Sequence, residues 1–329
     1  MTVSAARVEL VDVHAHFLTD HYKNAASTAG HQHPDGMPGW PTWSTAEHLH
    51  LLDQCEIDRA LLSISSPGVH FGDNAAARAL ARHVNDTGAD TVRTHPDRFG
   101  HFASLPLPDV DGALAETRYA LDELGSDGVA VETSTDGVYL GDARYEPLYA
   151  ELNARQAVVF VHPTSPACHE QVALGRPRPM LEFIFDSTRA VSDLIFSGTL
   201  TRYPDIDWVF THGGGTLPLL ADRMELFRAA FFSAGNGEAQ TVQQLVAGLW
   251  FDMAGTPFPN QIPALARAFG TDRLLYGSDY CWTPASATFA QVQAVDAAPP
   301  NGPDSWRALT SRNAARLLSR TRSTRKEPQ

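Results

Sequence analysis

Short apolar runs rich in β-branched residues alternate along the chain with segments in which apolar residues recur every three or four positions. The runs have the length and composition of strands, and the segments between them have the period of amphipathic helices. The predicted strands cover residues 8–14, 59–65, 99–104, 128–132, 157–162, 207–212, 248–253 and 273–278. The predicted helices cover residues 45–55, 73–93, 111–124, 144–155, 181–197, 216–231, 260–269 and 304–319. Strands that alternate with helices form a parallel sheet with right-handed crossovers.

Eight such units favour an α/β fold in which the sheet closes into a (β/α)8 TIM barrel. Barrels of this class commonly exceed about 250 residues as one domain, so a chain of 329 residues needs no second domain. An open, doubly wound sheet is the alternative, but no Gly-x-Gly-x-x-Gly sequence follows a predicted strand, as a dinucleotide-binding sheet would require. We therefore expect one barrel domain over residues 1–319, followed by a disordered basic tail over residues 320–329.

Two stretches fall outside the repeat of strands and helices. Residues 17–44 follow the first predicted strand and contain three prolines and three glycines, and residues 163–180 follow the fifth and contain four prolines and one glycine. Long loops in a compact domain are often binding loops. Because each of them leaves a strand end that carries histidine, we expect both extended loops to border the functional site.

Side chains that can bind a metal or transfer a proton stand at the ends of four predicted strands. His14 and His16 are two residues apart on the first strand, so they project from the same face. His162 ends the fifth strand, His212 ends the sixth, and Asp279 follows the eighth. In a barrel the carboxyl ends of the strands meet at one face, where active sites form. The sequence therefore predicts that these five side chains share one site.

Two further His-x-His pairs show that the spacing alone is not specific. His48 and His50 fall in a predicted helix, where residues two apart point about 200° away from each other and cannot share an ion. His31 and His33 lie among prolines and glycines, in a predicted loop. We expect neither pair to bind a metal.

Three histidines and one aspartate suit zinc, with manganese or another divalent ion as an alternative, and leave a position open for water or substrate. Five candidates exceed the roughly four protein ligands of such a site, so one is free. We assign His212 as the free acid/base, because the three glycines that follow it would open space and expose backbone N–H groups. The alternative for these glycines is a tight turn into the next helix.

Charge and composition narrow the range of partners and compartments. The chain has 25 basic and 38 acidic residues, and its net charge of -13 disfavours nucleic acid and anionic membranes as partners. No run approaches the ~20 apolar residues of a membrane span, and the first residues lack the apolar core of a signal peptide. Three widely spaced cysteines build no disulfide framework, so a reducing cytoplasm is expected.

Lysine is nearly absent, since only Lys23 and Lys326 occur and neither lies in a predicted strand. A mechanism through a Schiff base needs a buried amine. A metal pair bridged by a carboxylated lysine also needs this side chain at a strand end. Both kinds of site are therefore disfavoured.

Four motifs at the strand ends resemble those of the amidohydrolase superfamily. They are Val11-Asp12-Val13-His14-Ala15-His16, Val159-Phe160-Val161-His162-Pro163, Phe210-Thr211-His212-Gly213-Gly214-Gly215 and Tyr276-Gly277-Ser278-Asp279-Tyr280. More narrowly, the chain from residue 8 to residue 318 is similar to the non-hydrolytic decarboxylase branch, typified by aminocarboxymuconate semialdehyde decarboxylase. The resemblance implies that His14, His16, His162 and Asp279 hold one divalent metal, and that His212 is the acid/base.

Binuclear hydrolases of the superfamily carry a modified lysine on the fourth strand. Here residues 128–133 read Gly-Val-Ala-Val-Glu-Thr, which implies a single metal. Glu132 could bridge a second ion, or it could be a hydrogen-bonding residue of the rim. The loop sequences Asp35-Gly-Met-Pro-Gly-Trp40-Pro-Thr-Trp43 and Asp186-Ser-Thr-Arg189-Ala-Val-Ser-Asp193 further resemble the 6-methylsalicylate decarboxylase-like subgroup.

The resemblance implies loss of carbon dioxide from a small aromatic ortho-hydroxy carboxylic acid, in a homodimer or higher homo-oligomer. Either His212 or Asp279 would protonate the ring carbon, and the sequence does not choose between them. A metal-dependent hydrolase of an amide or lactone is the rival enzyme, and a barrel that binds a metal or ligand without turnover is the non-enzymatic alternative.

Supporting roles are open to several other residues. Trp40 and Trp43 could pack against an aromatic substrate or hold their loop in place. Phe17 is a further candidate for substrate contact. An arginine could meet a carboxylate, and the candidates are Arg176, Arg178 and Arg189, of which we select Arg189. Asp12 and Asp252 could each orient a metal ligand through a hydrogen bond or be buried polar residues of the core.

Overall fold

The computed structural model describes residues 9–232, 240–300 and 302–323. Eight parallel strands pair in the order of the chain: β1 Val11–His16, β2 Arg59–Ser63, β3 Phe99–Ser104, β4 Gly128–Glu132, β5 Val158–His162, β6 Asp207–Phe210, β7 Trp250–Asp252 and β8 Leu274–Leu275. The first strand also bonds to the segment after the last. Val13 N–H donates to the Tyr276 carbonyl at 2.9 Å, and Asp279 N–H donates to the His14 carbonyl at 2.8 Å. The strands therefore form the predicted barrel.

Helices surround the sheet and connect its strands. The α-helices of the described residues are α1 Asp20–Thr28, α2 Thr45–Gln54, α3 Asn74–Thr94, α4 Val110–Arg118, α5 Glu146–Ala154, α6 His169–Val172, α7 Glu182–Phe196, α8 Thr199–Arg202, α9 Leu217–Phe231, α10 Val242–Ala247, α11 Ile262–Phe269, α12 Ala285–Ala297 and α13 Trp306–Ser323. Side-chain oxygens cap the N-termini of several of these helices. Ser44 accepts from Glu47 N–H, and Asp73 accepts from Ala76 N–H. Within these described segments, no helix combines the length and apolar character needed to cross a bilayer.

Five helices, α1, α6, α8, α10 and α12, were not predicted, and the ends of several other elements differ from the predicted ones. The stretch 17–44 was expected to be a loop, but it contains α1, which Thr19 caps by accepting from Tyr22 N–H at 3.0 Å. The helix α12 was not predicted, because its many alanines blur the apolar period that marks an amphipathic helix. The last helix continues to Ser323, and residues 324–329 of the predicted tail lie outside the described residues.

An apolar layer inside the barrel underlies the strand ends that carry the histidines. The rings of Phe102 and Phe160 stack with centroids 5.3 Å apart, and the Phe160 ring contacts the His14 ring at 5.2 Å. Both phenylalanines are fully buried. At the same face the turns Pro34–Gly36 and Arg178–Met180, from the two long loops, contact each other. Buried apolar side chains therefore lie beneath the site, and both long loops border it.

Candidate metal centre and active site

Four of the predicted side chains form a compact group of metal ligands at the carboxyl ends of the strands. The ligand atoms of His14, His16, His162 and Asp279 all lie within 4.8 Å of one another. His14 Nε2 is 3.4 Å and His16 Nε2 is 3.2 Å from Asp279 Oδ1. Three imidazoles and one carboxylate at this spacing are a donor set for a divalent metal ion such as zinc or manganese. The residues present therefore fit the metal that the sequence predicts.

Hydrogen bonds on the outer side of each ring direct the ligand nitrogen toward the centre of the group. The Nδ1 atom of each histidine lies within 3.3 Å of an oxygen: Asp252 Oδ2 for His14, the Ser63 carbonyl for His16, and the Pro163 carbonyl for His162. A proton on Nδ1 that is donated to such an oxygen leaves the Nε2 lone pair for a metal. The rings are thus held in the tautomer that ligation needs.

Three of the four groups already have the ionisation that a cation needs, and the fourth, His14, must release a proton when a metal ion binds. Burial lowers the pKa of His16 and of His162, so both imidazoles are neutral near pH 7. Burial opposes a charge on His14 as well, but Asp252 and then Asp279 outweigh it and raise the pKa of His14 to about 10. Without a metal ion this imidazole is therefore protonated near pH 7, and metal binding displaces the proton from its Nε2. Burial would raise the pKa of Asp279, yet hydrogen bonds from the surrounding histidines hold that pKa well below its usual range. The carboxylate is therefore ionised.

Asp252, at the end of β7, connects two parts of the site. Its Oδ2 accepts from His14 Nδ1 at 2.8 Å, and its Oδ1 accepts from the backbone N–H groups of His212 and Ala254, both at 2.9 Å. The side chain is fully buried. One carboxylate thus orients a metal ligand from β1 and fixes the backbone of the residue proposed as the acid/base.

We expect Asp252→Asn to weaken metal binding by about 10- to 100-fold, the usual effect of losing an outer hydrogen-bond partner of a ligand. The amide oxygen can keep both backbone bonds, whereas the amide NH2 then faces His14 Nδ1 and drives its proton to Nε2, the ligand atom. Chelator competition measures the affinity. The control is Asp12→Asn, because the equally buried Asp12 bonds to Ser278 and to the backbone N–H of His14, and among the described residues it bonds to no histidine ring. Equal metal affinity in the two variants would contradict the role given to Asp252.

His212 lies beside the ligand group but outside it. Its Nε2 is 3.6 Å from Asp279 Oδ2, and its ring is 5.2 Å from the His14 ring. Its backbone has a positive φ of 53°, held by the bond to Asp252 and by Gln261 Nε2, which donates to the His212 carbonyl. The imidazole lines the cavity next to the ligands. This position suits proton transfer to a bound molecule.

The three glycines after His212 form a tight turn. Gly214 N–H donates to the Thr211 carbonyl and Gly215 N–H donates to the His212 carbonyl, both at 3.1 Å, so these N–H groups are used within the turn. Gly215 has a φ of 63°, and a Cβ there would lie 2.2 Å from the Ile184 carbonyl oxygen. The role in transition-state contact that the sequence suggested is therefore not supported for these two groups, and the alternative of a turn is confirmed.

A cavity of about 160 Å³ opens beside the ligands. His162, His212 and Asp279 form one side of it, and the remaining lining residues are Asp35, Met37, Ser65, Pro179, Phe183 and Trp282. Residues 35 and 37 belong to the loop after β1 and residue 179 to the loop after β5, so both long loops border the site as predicted. The volume is below the roughly 300–1,000 Å³ of pockets for drug-sized ligands, and the walls are largely apolar. The cavity suits a small ring.

The three aromatic side chains predicted to contact a substrate pack elsewhere. Phe17 is fully buried, with its ring 5.9 Å from Trp43. The Trp43 indole N–H donates to His48 Nδ1 at 3.1 Å, and the Trp40 ring packs at 5.6 Å against Trp282. Among the residues that the structure describes, none of these three lines the cavity. Trp40 instead packs against Trp282, which does line the cavity.

The predicted arginine also lies away from the cavity. Arg189 is exposed, and its Nη1 is 3.6 Å from Asp186. The apolar lining comes instead from Met37, Phe183 and Trp282, which the sequence reasoning missed. Trp282 could have been identified from the sequence, because it is three residues after Asp279 and therefore lies at the same rim of the barrel.

Glu132 is not among the four grouped ligands. Its Oε2 is 3.7 Å from His162 Nδ1, and burial raises the pKa of Glu132 well above its usual range. A neutral carboxyl group is a poor ligand for a cation. The arrangement favours a single metal ion over a bridged pair.

The two other His-x-His pairs lie in the settings that the sequence predicts, a helix and a loop. On α2, His48 is fully buried and His50 is exposed, so they cannot share an ion. His33 Nδ1 bonds to the Pro38 carbonyl at 2.9 Å, within its own loop. Neither pair belongs to the ligand group found in the described part of the chain.

Comparisons with known proteins give the same picture over nearly the whole chain. The family model described as amidohydrolase matches residues 11–320. A 6-methylsalicylic acid decarboxylase of Aspergillus aculeatus is 34% identical, and the match covers 89% of this chain and 91% of that protein. The crystal structure of an amidohydrolase II is 32% identical with a TM-score of 0.88, covering 94% of this chain and 100% of the other.

A more distant structure shares the fold. The 5-carboxyvanillate decarboxylase of Novosphingobium aromaticivorans, solved with manganese and 4-hydroxy-3-methoxy-5-nitrobenzoic acid, is 21% identical with a TM-score of 0.85. The match covers 95% of this chain and 96% of that chain. At this identity the likeness concerns the fold alone.

Proposed function

This chain belongs to the amidohydrolase family and is a carboxy-lyase within it, and we propose that its substrate is a small aromatic ortho-hydroxy carboxylic acid resembling 6-methylsalicylate. One observation carries the proposal. A group of three histidines and an aspartate opens onto a small, largely apolar cavity, and His212, which is not among the four grouped residues, lines the same cavity. The reaction is loss of carbon dioxide without oxidation.

The side chains of the cavity hold the ring and supply the proton. Phe183 and Trp282 offer apolar surface to an aromatic ring, and their bulk excludes water from it. A bound divalent ion supplies Lewis-acid polarisation of the carboxylate and the neighbouring oxygen. A proton added to the ring carbon that bears the carboxylate breaks aromaticity, and cleavage of the C–C bond returns the electrons to the ring.

We infer that His212, and not Asp279, delivers this proton. The pKa of Asp279 is held well below its usual range, so its carboxylate carries no proton to donate near neutral pH. His212 Nε2 is 3.6 Å from Asp279 Oδ2, and the side chain faces the cavity. An imidazole in contact with a bound molecule is the commonest proton-transferring group of enzyme active sites. This favours His212 as the acid.

We propose one zinc ion per chain, with manganese as the alternative. Three imidazole nitrogens and one carboxylate oxygen suit zinc. The related 5-carboxyvanillate decarboxylase holds manganese, and carboxylate ligands also suit that ion. Elemental analysis of the protein purified without added metal distinguishes the two.

We propose that the chain forms a homodimer through the exposed faces of α7 and α9. Only Leu217 and Ala221 are buried on α9. The Phe196 and Phe232 rings contact each other with centroids 5.4 Å apart, which brings apolar residues of the two helices together. The exposed large apolar residues on and next to these helices are Leu181, Phe185, Phe196, Leu219, Leu226, Phe227, Phe231 and Phe232. Exposed apolar surface of this extent supports association, and sedimentation equilibrium should give twice the chain mass of 35.8 kDa.

We place the protein in the cytoplasm as a single domain. Cys55, Cys168 and Cys281 are free in the structure, which is compatible with a reducing compartment. Fractionation of the native source tests the location, and a single cooperative unfolding transition tests the domain assignment.

Turnover in heavy water should place one deuterium on the ring carbon that lost its carboxylate. The group that protonates this carbon exchanges with solvent, and carbon dioxide, not bicarbonate, should be the first species released. Mass spectrometry of the product and a carbon dioxide electrode measure both.

The rival hydrolase would give the opposite labelling. Hydrolysis of an amide or lactone forms no new C–H bond and transfers oxygen from water to the product. Product that carries oxygen from labelled water but no ring deuterium would therefore contradict the decarboxylase assignment and support the hydrolase.

A further inference from the structure

One acidic side chain lines the cavity in addition to the ligand Asp279. Asp35 stands in the turn Pro34–Gly36, is only 6% exposed, and has a left-handed backbone with φ of 53°. Ser165 Oγ, from the loop after β5, donates to Asp35 Oδ1, and Arg178 Nε donates to Ser165 Oγ at 3.0 Å. The carboxyl group is thus held in place by the opposite loop.

No lysine or arginine is present in the lining of this cavity, as far as residues 9–232, 240–300 and 302–323 show. The guanidinium of Arg178 packs on the turn itself, since a Cβ built on Gly36 would lie 2.5 Å from its Nη1. The other polar groups of the lining are Ser65 and the residues of the metal centre. A second anionic group of a ligand would therefore meet the Asp35 carboxylate in the cavity wall, while Arg178, which reaches Asp35 through Ser165, lies outside the lining.

We propose that Asp35 determines the specificity of the site: it restricts binding to aromatic acids with one carboxylate and favours a ring hydroxyl at the end of the cavity that it lines. The inference rests on the proposed function, because the first carboxylate of the ligand is taken to lie at the metal centre. Like charges a few ångströms apart in a partly buried site repel strongly. A carboxylate oxygen only accepts hydrogen bonds, and a phenolic hydroxyl can donate to it.

Two substitutions separate the charge of Asp35 from its part in joining the loops. Asp35→Asn removes the charge but keeps an oxygen that can accept from Ser165. Ser165→Ala removes the bridge between the loops but leaves the charge of Asp35 unchanged. A change in specificity that arises from charge should be large in the first variant and small in the second.

The experiment measures binding to the manganese-loaded full chain by calorimetry. The probes are 2-hydroxybenzoate and its derivatives with a hydroxyl or a carboxylate at ring position 4 or 5. The wild-type protein should bind the dicarboxylates most weakly. In Asp35→Asn, affinity for the dicarboxylates relative to 2-hydroxybenzoate should rise by roughly 10-fold or more, and the advantage of the dihydroxy acids should shrink. Ser165→Ala loosens the Asp35 carboxylate but keeps it at the cavity wall, so it should shift both ratios by much less than Asp35→Asn does.

An unchanged ratio in Asp35→Asn, or an equal shift in Ser165→Ala, would overturn the proposal. Failure to bind any of these acids in the wild-type protein would overturn it as well. Because binding is measured instead of turnover, failure of the proposed reaction remains distinguishable. A wild-type protein that binds the acids but releases no carbon dioxide would refute the decarboxylase, while the ratios would still decide the role of Asp35.

Discussion

Replacing His14 and His16 together by alanine should lower the metal content from about one ion per chain to almost none and reduce turnover to background, because two of roughly four ligands are lost. The two Nε2 atoms are 3.0 Å apart, so both face the same centre. The remaining His162 and Asp279 offer only two donors. Elemental analysis of the purified protein measures the loss directly.

The matched control is the double variant His31→Ala with His33→Ala. It has the same spacing and the same chemical change, but these residues lie outside the ligand group of the described chain. Metal content near that of the wild-type protein is expected in the control. Circular dichroism of both variants checks that the barrel is folded. Normal metal content in the His14 and His16 variant would mean that the centre lies elsewhere.

Replacing His212 by alanine should keep the metal and lower turnover by about 10²- to 10⁴-fold, the usual contribution of an acid/base group. His212 is outside the ligand group, so its imidazole is not needed for metal binding. Its backbone is fixed by Asp252 and Gln261, neither of which bonds to its ring, so the turn should persist. Metal content and turnover are measured on the same preparation.

Loss of metal in His212→Ala would mean that the ligands differ from the four assigned here. His212 would then be a ligand, and either His162 or Asp279 would be the free group. Asp279→Asn helps to decide between these possibilities, because an amide at this position ligates more weakly than a carboxylate. Full metal content in that variant would place Asp279 outside the set.

The barrel and the grouping of the candidate metal ligands could be predicted from the sequence because both depend on strand geometry. A buried parallel strand leaves a continuous apolar run in the sequence, and the residue at its carboxyl end has a fixed place at the rim. His162 and Asp279 could therefore be grouped with His14 although each is far away in the chain. Two strands, 99–104 and 128–132, also have the predicted bounds.

The lining of the cavity could not be predicted in the same way, because loops have no period that fixes the direction of a side chain. Trp40 and Trp282 are both aromatic residues in loops at the rim, but only packing between distant segments determines that Trp282 lines the cavity and Trp40 lies against it. Asp35 depends on a left-handed backbone and on a partner 130 residues away. Neither feature is visible in a local pattern.

The bond that Ser165 donates to Asp35 has a consequence for loop grafting between barrels of this family. The loop after β1 supplies a group of the cavity wall, but the loop after β5 supplies the hydroxyl that holds it, and Arg178 in turn orients that hydroxyl. Transplanting the first loop alone would carry Asp35 into a scaffold without its support. The two loops form one exchangeable unit, and a chimera should receive them as a pair.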